Sequence, residues 1–271
     1  MNIKSISEND KLYMTSSVFS YNSNLYYHDE IKNKYIKINI RNWHRYLNNY
    51  GWKKMETGWK KRLKNNIKQN FRFGVLDCGG NGNCLFNCIT EALNNPLNPL
   101  ENNYNSNMIR EIAANQIDEN NFPIIIESYK LAKENEEFQG EWDPFNIDNF
   151  SQLQKEIKKE GGNFWGDHTI IQLLQSKLKI NFILLKSDIM FTLFKDSYTN
   201  IPNNEKYKIQ PLGTDINKYN KYIFLHYISD LHFQLIGFFN GKKMQTVFKR
   251  EELPSEIIET YYTDCKEHIR I

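Results

Sequence analysis

Long apolar runs are missing from this 271-residue chain. Its richest stretch, "INFILL" at 180–185, is far short of the roughly 20 residues that a membrane-spanning helix requires. The opening "MNIKSISEND" has no apolar signal core, so the expectation is a cytoplasmic protein without a membrane partner. Cysteine is scarce: Cys78, Cys84 and Cys88 cluster and Cys265 stands apart, a pattern that excludes a secreted disulfide scaffold and predicts reduced thiols. Only 7 prolines and 13 glycines punctuate the sequence, so its polar character is spread along the chain rather than gathered in one tail. Excess charge is absent as well. A net +3 argues for neither a nucleic-acid binder nor a membrane binder. Aromatic residues make up 14 %, which fits a folded core.

Periodicity divides the chain into an N-terminal extension (1–70), a central domain (71–240) and a C-terminal extension (241–271). The first holds a Tyr-rich, strand-like stretch at 24–40 and then a tract rich in Lys and Trp, read as a basic amphipathic helix or arm. From residue 71, "FRFGVLDC" reads as a strand and "CLFNCITEALNN" as a helix. Further helices are expected near 107–118, 149–160 and 168–178, with strands in "INFILL", "YIFLHYI" and "HFQLIGFF". Pro254 opens a short terminal helix. Helices first and strands late predict an α+β fold, a small sheet packed against helices.

Residues 77–95, "DCGGNGNCLFNCITEALNN", carry the chemistry. With the helix starting at Cys84, the thiol sits where unpaired N–H groups and the helix dipole favour a thiolate. The glycines before it let the N–H groups of Gly82, Asn83 and Cys84 turn inward as an oxyanion hole. The bland reading is a buried structural cysteine, and Cys88, one turn on, is read as packing. A nucleophilic thiol needs a base near neutral pH. His232, opening a late apolar strand, fits best, with His226 the rival. Asp230 and Gln234, two residues to either side of His232, share its face in a regular strand, and either is able to hold the imidazole. Trp165 reads as a channel wall or, more economically, as an aromatic plug; Asp167 reads as a helix N-cap. The cysteine spacing does not match paired zinc knuckles, so neither metal nor cofactor is expected.

"GNGNCLF", "MIREIAANQI", "FWGDHTIIQLLQSKLKINFILL" and "LHFQLIGFF" together resemble the ovarian-tumour (OTU) family of papain-like cysteine proteases. The family's blocks are D-G-N-C-[LF]-[FY], an [LV]-R helix, W-G before a helix and strand, and a late H-[YF]. They occur in that order over about 74–240, and the "CGG" variant looks most like OTU-like proteins of large DNA viruses. The resemblance implies a papain-like fold and a deubiquitinase acting on conjugates of ubiquitin or a ubiquitin-like protein. Cys84 would be the nucleophile, His232 the base and acid, and Gly82 and Asn83 part of the oxyanion loop. Two positions depart from the pattern: Asn81 stands where the family has Asp, and Gln234 where it has Asp or Asn as third triad member. Asp77 or Asp230 would compensate. The competing expectation is a catalytically weak or silent OTU-fold protein that binds ubiquitin or, less naturally, nucleic acid through the Lys/Trp tract.

Overall fold

A computed structural model describes residues 12–13, 17–63, 71–94, 103–187, 207–211, 218–228 and 231–265. Runs such as "NFILL" and "YIFLHY" are apolar at consecutive positions because both faces of their strands are covered. The central sheet has the order β5-β6-β10-β9-β7-β8, with β11 joined to β10 and β12 to β9. Its strands are β5 (Trp52–Lys54), β6 (Phe73–Leu76), β7 (Ile180–Ser187), β8 (Tyr207–Pro211), β9 (Lys221–Ile228), β10 (His232–Phe239), β11 (Met244–Gln245) and β12 (Val247–Lys249). Pairing is antiparallel except between β7 and β9.

Alternation sorts the side chains to the two faces. Phe233 and Leu235 of β10, with Ile223 and Leu225 of β9, pack into a core with α3 (Cys84–Leu93), α4 (Ser106–Ala114), α6 (Phe150–Lys158) and α7 (His168–Leu178). Tyr129 and its neighbours bring α5 (Phe122–Glu134) to the same core. Ile236 and Phe224 face the other way, against Trp59 of α2 (Thr57–Arg62) and Ile257 and Tyr261 of α8 (Ser255–Asp264). Each fully buried Leu, Ile or Phe contributes about 1.5–3 kcal/mol.

Several expectations change here. The sheet is large rather than small, and strands do not simply follow helices. A second, four-stranded meander precedes every helix: β1 (Leu12–Tyr13), β2 (Val18–Tyr21), β3 (Asn24–Asp29) and β4 (Lys34–Lys37). The meander joins α1 (Trp43–Tyr46) against the end of β10 through Val18, Leu25, Trp43 and Phe239. Up to residue 63, beyond which its last residues lie outside those described, the expected basic arm is broken into α1, β5 and α2, and its tryptophans serve packing: Trp59 is 0 % exposed, and the Trp52 ring lies against Gly237, where a Cβ would approach it to 2.7 Å. A domain boundary at 70/71 would therefore fall between two adjacent strands of one sheet. The 241–271 segment adds β11, β12 and α8 to the same body. No helix among the described residues is long and apolar enough to cross a membrane.

Candidate active site

The loop between β6 and α3 is built by turn chemistry. Asn83 N–H donates to Gly80 O at 3.3 Å, and the residues between have positive φ, 57° at Asn81 and 79° at Gly82. Asn-Gly is the pair that a type I′ turn selects. Asn81 is exposed on the turn, and its positive φ is a backbone requirement that the reading of it as a catalytic side chain did not include. Gly82 has a second reason to be glycine: a Cβ there would lie 2.0 Å from Gly161 O and 3.2 Å from Trp165 Cδ1. Trp165 is half-buried and donates to Gly162 O at 3.1 Å. It borders the catalytic loop, while its neighbour Phe164 takes the plug position in the core.

Cys84 is the first residue of α3 and only 6 % exposed. His232 opens β10; the neighbouring Cys84 sulfur, outweighing burial, and then Asp77 push the imidazole above its ordinary 6.5. His232 Nε2 lies 3.1 Å from Asp77 Oδ1. The same oxygen of Asp77 accepts from Gly79 N–H at 3.1 Å. The segment is tied to α3 where Asn87 Nδ2 donates to Cys78 O at 2.9 Å. Cys84, His232 and Asp77 therefore converge in the arrangement that a nucleophile, its base and an orienting carboxylate require. Asp230 lies outside the described residues.

Gln234 does not join them. It faces the opposite side of the sheet, where its Oε1 is 3.2 Å from His226 Nδ1. His226 Nε2 is 2.7 Å from Ser187 Oγ, which accepts from Trp59 Nε1 at 2.7 Å and donates to Glu56 Oε1 at 2.7 Å. Burial raises the Glu56 carboxyl, but bonds from His226 and Ser187 outweigh it and leave the carboxyl below its ordinary 4.5. Both the third triad member and the rival base thus belong to a buried polar network that fastens α2 to the sheet.

The oxyanion loop also differs from the expectation. Asn83 spends its N–H on the turn. The N–H groups of Cys84, Leu85 and Phe86 precede the first intrahelical bond, from Asn87 N–H to Asn83 O at 2.8 Å, and are the donors that face no helical carbonyl. Arg110 of α4, present in the quoted "MIREIAANQI" but given no role from sequence, stands behind them. It is 0 % exposed. Its guanidinium donates to Asn83 Oδ1 (3.1 and 2.6 Å), Gly82 O (3.1 Å), Ile157 O (2.9 Å) and Phe164 O (3.0 Å). It also lies 4.0 Å from the centroid of the Phe86 ring. A fully buried Arg meeting only neutral oxygens was recoverable from sequence only as an Arg on an otherwise apolar helix face.

Cys88 is buried and donates to Phe233 O at 3.5 Å, and burial pushes its thiol well up. Asp167 caps α7 through Ile170 N–H at 2.9 Å. Among the described residues no group of His, Cys, Asp and Glu is arranged to hold a metal ion.

No family model matches the sequence, and no curated protein matches it. Similar solved structures are OTU domains. One, in complex with ubiquitin, is 13 % identical, with 70 % of this chain and 83 % of that chain covered and a TM-score of 0.40. The Hazara virus OTU bound to ubiquitin is 12 % identical, with 62 % and 82 % covered and a TM-score of 0.36. An OTU deubiquitinase from Wolbachia pipientis wMel is 13 % identical, with 69 % and 96 % covered and a TM-score of 0.37.

Proposed function

We propose that this protein is an OTU-type cysteine protease that cleaves the isopeptide bond after the C-terminal glycine of ubiquitin or a ubiquitin-like modifier. The observation that carries the reading is the single imidazole, His232, meeting both the Cys84 sulfur and Asp77 at the start of α3. The Cys84 thiolate adds to the isopeptide carbonyl, and the charge developing on oxygen is met by the N–H groups at the start of α3. His232, as imidazolium, protonates the departing lysine amine as the C–N bond breaks, leaving a thioester on Cys84. Water, deprotonated by His232, attacks that thioester and releases the carboxylate and the thiol. A free Cys84 thiol suits the reducing cytoplasm.

The test is labelling by a ubiquitin probe with a C-terminal electrophile. Wild type and Cys88→Ala should be labelled and Cys84→Ala should not. A folded wild-type protein that stays unlabelled by ubiquitin and ubiquitin-like probes alike sinks the proposal.

A further inference from the structure

Three other helices of this fold use the capping residue that their sequence supplies. Asn105 accepts from Met108 N–H at the start of α4, Asn149 from Gln152 N–H at α6, and Asp167 from Ile170 N–H at α7. Asn83 holds the same position before α3, yet its side chain makes no capping bond. Both recorded bonds to Asn83 Oδ1 come from Arg110. An Asn free to cap would satisfy a first-turn donor, and those are the donors beside the Cys84 sulfur. Arg110 is itself costly to bury, because every oxygen it touches is neutral. Burial draws its guanidinium down to about 10, while Glu160 and Cys84 act in the opposite sense. The ionisable groups around the sulfur are His232, Asp77, Cys78 and Cys88, with Arg110 behind the loop and Glu160 beyond it.

Resting on the reading of Cys84 as nucleophile, we infer that Arg110 is a positioning residue that withholds Asn83 from capping α3. It thereby keeps the first-turn N–H groups open to the thiolate and the oxyanion. The guanidinium adds a fixed positive charge behind the loop, and its bond to Gly82 O holds that carbonyl in place.

The experiment follows iodoacetamide alkylation of Cys84 in the full-length protein across pH, read by mass spectrometry of the Cys84 peptide. Asn83→Ser gives α3 a cap too short to reach Arg110; Arg110→Lys removes the fork. In each, the half-maximal pH should rise by about one unit, which is a tenfold loss of rate at pH values well below the wild-type midpoint, and the alkaline limiting rate should be kept. A merely structural role would lower the rate equally at every pH. Thermal unfolding checks each variant, and if Arg110→Lys does not fold, Asn83→Ser decides alone. Profiles that superimpose on an activated wild type, or that fall uniformly, overturn the role of Arg110 and leave the proposed function standing. A wild type that alkylates only above roughly pH 8.5, like a free thiol, overturns both.

Discussion

Asp77 and Gln234 compete for one job, and the partner that each side chain meets decides between them. Gln234, on β10, is turned to His226, whereas Asp77, just past the end of β6, reaches His232. Asp77→Asn should lower kcat at least about a hundredfold, less than the roughly ten-thousandfold loss in a serine triad because a thiol is intrinsically the better nucleophile. It should also move the alkaline limb of kcat/KM to lower pH. The sign follows from the site: His232 is held above 6.5 first by the Cys84 sulfur and then by Asp77, so losing the carboxylate releases the imidazolium proton earlier. Gln234→Ala should leave that limb in place and lower stability by about 1–3 kcal/mol through the stranded His226. Steady-state pH profiles and urea titration separate the two. Gly82→Ala should abolish turnover, since both its φ and Gly161 O forbid a Cβ. Cys84 and His232 were legible because each sits in a local pattern, a glycine loop before a helix and a His before an apolar strand. The Asp77 contact was not, because it depends on β6 pairing with β10, a relation that local periodicity does not carry.

At the scale of elements, α2 and β5 show the same limit from another side. Their lysines and tryptophans give a basic pattern in sequence, yet Trp59 is a core residue bonded to Ser187 from far along the chain. Trp59→Ala should cost about 3–5 kcal/mol, measurable by chemical denaturation. Glu56 gives a pH signature. Its carboxyl is held below 4.5 in the folded protein, so its stabilisation is present above that value and disappears as pH falls through the folded-state one. The stability gap between wild type and Glu56→Gln should be constant near neutrality and shrink in acid. The helices α3, α4, α6 and α7 were readable within a few residues, because 3.6-residue periodicity marks each of them and, in the last three, an Asn or Asp cap coincides with the start. β8, β11 and β12 were not, being short strands whose only mark is pairing.

For the whole molecule, both flanking segments close on the central sheet. Arg62 of α2 pairs with Asp264 of α8, and Asp264 Oδ2 accepts from Ile209 N–H of β8 at 2.9 Å. A chain beginning at residue 71 would lose β5 from the edge of β6 and the whole of Trp43 and Trp59. It should aggregate and show no cooperative thermal transition, while the intact chain should unfold in one; calorimetry and size-exclusion chromatography read both outcomes.

Asp77 and His232 are 155 residues apart in the chain, and synthesis runs from one to the other. A growing polypeptide therefore displays the glycine loop and its thiol long before the strand that brings the imidazole has been translated. During that interval the cysteine has neither the imidazole beside it nor the sheet beneath it, so the order of translation delays assembly of the Cys84, His232 and Asp77 cluster until β10 has been made.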